Sequence, residues 1–175
     1  MTAPASETAA PPAALPALVD LRLARATAAL CRDHPVLAPA VRGVLAPLRD
    51  RLYRLHVASR QAAAAAWAGY TADLDRGLDE LSAEVARAAE QPGRGRGVDD
   101  VLSAAAARLE LNGWELRLDA LALEGRDVSG ARQLADALAG RIRELTGSPG
   151  SAELRSQVVR ELAGLRTAVP AAERN

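Results

Sequence analysis

The segment VLSAAAARLELNGWELRLDALALE, residues 101–124, has the most informative apolar pattern in the chain. One set of its residues recurs at intervals of three and four: Leu102, Ala106, Leu109, Gly113, Leu116, Ala120 and Leu123. A second apolar set lies on the roughly opposite side of the same helix: Leu111, Trp114, Leu118 and Leu121. A helix that is apolar on two sides must contact partners on both. The segment therefore predicts a helix at the centre of a bundle or at a subunit boundary.

Gly113 lies in the middle of this predicted helix. Glycine inside a helix costs about 1 kcal/mol relative to alanine. We expect that cost to be offset by the close approach of a neighbouring backbone.

The composition of the whole chain favours helices. The 175 residues include no Phe, only 2% aromatic residues, and an apolar fraction dominated by Ala and Leu. Ala and Leu are strong helix formers, whereas strands favour β-branched and aromatic residues. We therefore predict an all-α protein, an antiparallel bundle of five or six helices.

The distribution of Pro, Gly and Ala along the chain predicts one domain with disordered termini. Residues 1–14 are rich in Ala and Pro and are predicted to be a disordered tail, as are residues 170–175. A single helical-bundle domain is expected over residues 15–169. Within it, the Gly-rich and Pro-containing segment 91–98 predicts a flexible loop between two helices.

Two leucine-rich seams precede that loop. Their members step by three and four along the chain, as in a coiled coil: Leu45, Leu48, Leu52 and Leu55, then Leu74, Leu78, Leu81 and Val85. We expect one long, partly coiled-coil helix of roughly 40 residues between Pro47 and Glu90. Such a helix would present a longer apolar stripe than the other helices of the same chain can bury, which favours a homodimer.

Several functional classes are disfavoured by composition. Equal numbers of basic and acidic residues, 22 each, argue against a nucleic-acid binder. Two histidines and one cysteine do not form a metal-ligand or nucleophile motif, so neither a cofactor nor a catalytic residue is predicted. The lone Cys31, the lack of a membrane-spanning apolar run and the lack of a secretory signal suggest a cytoplasmic location.

We therefore expect a non-catalytic interaction or scaffold protein that contacts itself or another helical protein. The candidate contact residues are Leu52, Leu55, Trp67, Tyr70, Leu74, Leu78, Leu81 and Trp114. Trp67 and Tyr70 lie one turn apart and suit an interface hot spot. Alternatively, they fill space beside the neighbouring alanines.

Two other functional classes are left open by the sequence. Abundant alanine and few aromatics permit a surface-active coat protein on a lipid or polymer surface, similar to phasins and apolipoproteins. Against this, interfacial helices usually carry aromatic residues on the apolar face and basic residues on the polar face. The other alternative is a regulator that binds a small anionic ligand or a partner protein between helices, with Arg51, Arg54 and Arg60 as anion receptors.

Overall fold

Helices account for all the regular secondary structure in the described part of the chain. The computed structural model describes residues 14–90, 97–147 and 151–174. Its helices are α1 (Leu15–Asp33), α2 (Ala38–Ala58), α3 (Ala64–Glu90), α4 (Val98–Leu123), α5 (Ser129–Gly147) and α6 (Ala152–Arg174), with a 3-10 turn before α2 (Pro35–Leu37). The predicted all-α bundle is confirmed, with six helices in these ranges.

The six helices form three successive antiparallel hairpins: α1 with α2, α3 with α4, and α5 with α6. In the first hairpin, the Arg49 guanidinium binds the Asp20 carboxylate. Near its other end, the Cys31 thiol lies 3.9 Å from the Ala38 carbonyl oxygen. These two contacts pair residues in opposite order along the chain, which defines the antiparallel arrangement.

The even-numbered helices α2, α4 and α6 run parallel, with α4 in the middle. Arg51 of α2 and Arg166 of α6 both bind Glu110 of α4. Seven residues further along each helix, Arg117 of α4 binds Ala58 of α2 and Glu173 of α6. The three helices therefore keep one register across two helical turns.

Helix α4 packs against apolar clusters on two sides, as its sequence predicted. Four residues of its first set, Leu102, Leu109, Leu116 and Ala120, lie in the cluster formed with α1, α2 and α3. The second set contributes Leu111, Leu118 and Leu121 to the cluster formed with α5 and α6. Leu123 departs from the prediction, since it lies at the last residue of α4 and is 62% exposed.

Among the described glycines, Gly113 leaves the least room for a side chain. A Cβ atom built at this position would lie 2.5 Å from Leu52 Cδ2 and 3.3 Å from Leu55 Cδ1. Both leucines are buried. The expected close neighbour is therefore present, but it is a pair of side chains and not a backbone.

The expectation of one helix of roughly 40 residues is wrong. Helix α2 continues through Pro47, ends at Ala58, and is followed by α3 after a turn over residues 59–63. Ser59 makes this turn: its amide and hydroxyl both donate to the Leu55 carbonyl, and its own carbonyl accepts from the Ala62 amide. The bond from the Ala62 amide back to the Ser59 carbonyl closes the turn.

The C-terminal end also differs from expectation. Helix α6 runs through Pro170 to Arg174, past the end expected at Val169. Ala172 is buried, and Glu173 binds Arg117 of α4, so the last turn is held by tertiary contacts. The predicted N-terminal tail, up to residue 13, and the predicted flexible loop, up to residue 96, lie outside the described residues.

Candidate interaction surface

The residues predicted to contact another molecule lie mainly inside this one. Seven of the eight are buried: Leu52, Leu55, Trp67, Tyr70, Leu74, Leu78 and Leu81. The eighth, Trp114, is half-buried and packs against both apolar clusters. These side chains make helix–helix contacts within one chain, so a surface for another molecule has to be found elsewhere.

Trp67 and Tyr70 belong to a buried aromatic cluster with His56. The ring centroids of His56 lie 5.8 Å from Trp67 and 5.0 Å from Tyr70, and a 2.6 Å hydrogen bond joins His56 Nε2 to the Tyr70 hydroxyl. Burial lowers the pKa of His56 to about 4 and raises that of Tyr70 above its ordinary value. Both groups are therefore neutral near pH 7, and the cluster joins the end of α2 to the start of α3.

A charged group lies between the parallel helices α2, α4 and α6. Glu110 is 1% exposed and accepts hydrogen bonds from Arg166 Nε and Nη2 at 2.7 and 2.8 Å, and from Arg51 Nε at 3.0 Å. The Trp114 indole donates a longer bond of 3.4 Å to the same carboxylate. Burial alone would raise the pKa of Glu110, but these donors and the two guanidinium charges lower it overall.

A second polar layer lies two helical turns further along. Arg117 Nη1 donates to the Ala58 carbonyl at 2.7 Å, and Arg117 Nε donates to Glu173 at 2.9 Å. Each participant comes seven residues after its counterpart in the Glu110 layer. Buried polar groups of this kind are best known for fixing register between helices. We interpret the two layers as braces that hold the three hairpins in register.

Both carboxylate oxygens of Glu110 already accept hydrogen bonds from three side chains, so Glu110 is not available to bind a ligand or to act in a reaction. The sequence did not reveal this network, because Arg166 and Arg51 lie 56 and 59 residues from Glu110 along the chain.

Within the described ranges, no group of three or more His, Cys, Asp or Glu side chains is arranged to hold a metal ion. None of the described helices combines the length and apolarity needed to cross a membrane.

The exposed apolar side chains show where contact with another molecule is best supported. The large ones in the described chain are Leu18, Leu21, Val36, Tyr53, Leu123, Leu134 and Val159. Single exposed apolar residues are common and need no explanation. Leu18 and Leu21 stand out because they lie one turn apart on the same helix, on the side of α1 opposite its buried stripe of Val19, Leu23 and Leu30.

Tyr53 of α2 is the exposed large apolar residue on the other helix of the first hairpin. It lines a shallow pocket of about 570 Å³ together with Ala17 of α1, the residue beside Leu18. We call Leu18, Leu21 and Tyr53 the first-hairpin patch. A further shallow pocket of about 520 Å³ follows along the same groove, with the small side chains of Ala24, Ala28 and Ala46 among its lining residues.

The rim of this groove carries both signs of charge. Among its lining residues, Arg42, Arg54 and Asp50 have no ion-pair partner within the described ranges, whereas Arg49 is neutralised by Asp20. Burial of the groove by another molecule would therefore bring a partner close to unpaired charges of both signs.

Comparison with known proteins provides no assignment. The chain matches no protein-family model, no curated protein and no solved structure.

Proposed function

We propose that this chain is a non-catalytic helical interaction protein that binds another helical surface through the first-hairpin patch. The observation that carries the proposal is the exposure of Leu18 and Leu21, 42% and 44%, one turn apart on an edge helix. Helix-in-groove recognition uses apolar anchors at this spacing. The small alanines along the groove between α1 and α2 permit a close approach.

The inner polar groups support an interaction role over a catalytic one. Glu110 and Arg117 are used in contacts between hairpins, and the hydrogen bond between His56 and Tyr70 is enclosed by apolar side chains. An acid–base catalyst needs a titrating group within reach of a substrate, and these groups are poorly suited to that role.

The two alternative functions draw less support from the structure. The apolar faces that a coat protein would lay on a droplet are buried against each other in two clusters. For the ligand-binding regulator, Arg51 was one expected anion receptor, and its guanidinium is bound to Glu110. A free anion would have to compete with a carboxylate of this chain for that site.

Site-specific photo-cross-linking in the native cell tests the proposal. A photoreactive residue replaces Leu21, and a matched variant carries it at Leu134 of α5, which has nearly the same exposure of 43%. We expect a discrete protein adduct from position 21, either with a second copy or with another helical protein, and none from position 134. Equal labelling at the two positions, or no discrete adduct from position 21, would contradict the proposal.

A further inference from the structure

The turn between α2 and α3 contains no residue type that requires the chain to reverse. Residues 59–63 are Ser-Arg-Gln-Ala-Ala, without Gly or Pro. The Ser59 amide still bonds to the Leu55 carbonyl at 2.9 Å, as in a continuing helix. Ala, Arg and Gln are among the better helix formers. The local sequence therefore permits a continuous helix as well as a turn.

The turn between α4 and α5 is built differently. Gly125 follows the end of α4 with a φ of 79°, and it alone among the described residues has a positive φ. Its amide bonds to the Ala122 carbonyl, and the Arg126 amide bonds to the Leu121 carbonyl, which is the Schellman arrangement that ends a helix. A stop is therefore specified after α4 but not after α2.

The buried stripe of α2 continues through the turn into α3 at helical spacing. Its buried or half-buried members follow one another at intervals of three or four residues: Leu48, Leu52, Leu55, Ser59, Ala62, Ala66, Tyr70 and Leu74. A straight helix over residues 38–90 would therefore carry one stripe along both halves. The reversal decides only whether the two halves are buried in one copy of the chain or in two.

The polypeptide connects the first hairpin to α3 through this turn alone, and the remaining links are non-covalent. Arg22 binds Asp75 of α3, Arg51 binds Glu110 of α4, and apolar side chains pack between the helices. The same contacts can form with the corresponding residues of another copy. An exchange of first hairpins therefore conserves them, and exchange of an identical element is a low-cost route to a dimer.

We propose that residues 59–63 are a hinge, and that it opens so that two copies of this chain exchange their first hairpins. In the dimer, α2 and α3 join into one helix over residues 38–90, about 80 Å long. The first hairpin of each copy packs on α3 and α4 of the other, and the two long helices cross antiparallel at the hinge. His56 then bonds to Tyr70 of the partner subunit.

Small side chains lie where the two long helices would cross. The stripe residues at the hinge are Ser59, Ala62 and Ala66, which allow a close approach. Arg60 and Gln61 are exposed, and their amides have no backbone partner among the described residues, so opening supplies helical hydrogen bonds for them. Association costs translational and rotational freedom, which favours the closed monomer at low concentration.

Refolding at high concentration tests the hinge. Exchange requires the contacts of the first hairpin to open, so we expect the dimer to form when the full chain refolds from urea at about 1 mM. Size-exclusion chromatography should separate it from the monomer. The dimer should dissociate slowly after dilution, because the same contacts must open again.

A distance within one chain distinguishes hairpin exchange from any other dimer. Spin labels are placed at Arg42→Cys and Asp79→Cys in a Cys31→Ala background, and labelled chains are diluted into unlabelled chains before refolding. Both positions are exposed, and the far ends of α2 and α3 lie together, since Leu37 and Ala88 line one pocket. We expect less than about 30 Å in the monomer. In the dimer we expect about 55 Å, the rise of one straight helix.

Gln61→Gly should raise the dimer Kd about tenfold, because position 61 is helical only in the dimer and in both of its copies. Gln133→Gly is the matched control, since this exposed position lies within α5 in both forms, and it should leave the Kd unchanged. A chain that stays monomeric on refolding, a dimer with the short distance, or equal effects of the two glycines overturns the inference. These measurements do not involve the first-hairpin patch, so each proposal can fail without the other.

Discussion

Glu110 of α4 accepts two parallel hydrogen bonds from Arg166 of α6, at 2.7 and 2.8 Å, while almost completely enclosed. Arg51 of α2 binds the same carboxylate from the other side. One carboxylate therefore joins the first, second and third hairpins. The contribution of the Glu110 carboxylate to the free energy of unfolding can be measured.

Replacing the charge at Glu110 should destabilise the protein. Glu110→Gln leaves two guanidinium groups without their counter-ion, which we expect to cost about 2 kcal/mol, less than a fully buried pair because both arginines are about one-third exposed. Urea unfolding at pH 7 measures this, with exposed Glu153→Gln as the control. A loss no larger than that of the control would contradict the role of the brace.

The pH dependence of the same variant gives a second readout. The native pKa of Glu110 is lowered, so its contribution is present above about pH 4.3, the ordinary Glu value, and is lost as pH falls through the native pKa. The stability difference between wild type and Glu110→Gln should therefore shrink below pH 4. A difference that stays constant with pH would show that the charge is not responsible.

His56 should make the wild type sensitive to mild acid. Burial lowers its native pKa to about 4, whereas the unfolded chain takes up the proton near pH 6.5. The contribution of neutral His56 to the free energy of unfolding should be fully present above pH 6.5. It should fall by roughly 3 kcal/mol as the pH drops to 4, because protons bind preferentially to the unfolded state. His56→Gln can still bond to Tyr70 but does not titrate, and denaturant unfolding across this range should show a flatter profile for it.

Gly113 and Gly164 should respond to alanine in opposite directions. Alanine at Gly164, an open position inside α6, should stabilise the protein by about 0.5–1 kcal/mol through helix propensity. At Gly113 the new methyl group would meet Leu52, which is fully buried, and we expect a net loss of about 1–2 kcal/mol. Thermal unfolding of the two variants checks the signs.

Leu78→Arg combined with Leu81→Arg should unfold the chain. Leu81 is fully buried and Leu78 is 7% exposed, so two charges would enter the core without partners. Circular dichroism should show a large loss of helix. A folded double variant that had lost only its self-association would instead restore the sequence-based view of these leucines as an intermolecular seam.

Local periodicity explains which parts of the fold were predictable. The two apolar sides of α4 and the tight position of Gly113 depend on spacing within one helix, which the sequence displays directly. The turn after Ser59 was hidden because alanines at positions 62–66 continue a helical composition without Gly or Pro. Leucine spacing also cannot distinguish a seam that is filled by the same chain from one that is filled by another.

The polar features were unpredictable for a different reason. Glu110 finds Arg51 and Arg166 only after folding brings distant segments together. In the sequence alone, each of these residues resembles a solvated charge on a helix flank. The exposure of Leu18 and Leu21 is a different case, because the three- and four-residue spacing of Val19, Leu23 and Leu30 already marks the inner side of α1 in the sequence.

Because α4 belongs to both apolar clusters, neither half of the protein is a smaller version of the whole. A fragment ending after α4 would expose Leu111, Leu118 and Leu121 to water, and a fragment beginning at α5 would lose the α4 side chains that complete its apolar cluster. The protein cannot be shortened hairpin by hairpin, as many helical repeat arrays can. We expect all six helices to unfold in one cooperative transition, and we expect evolution to keep or lose them together.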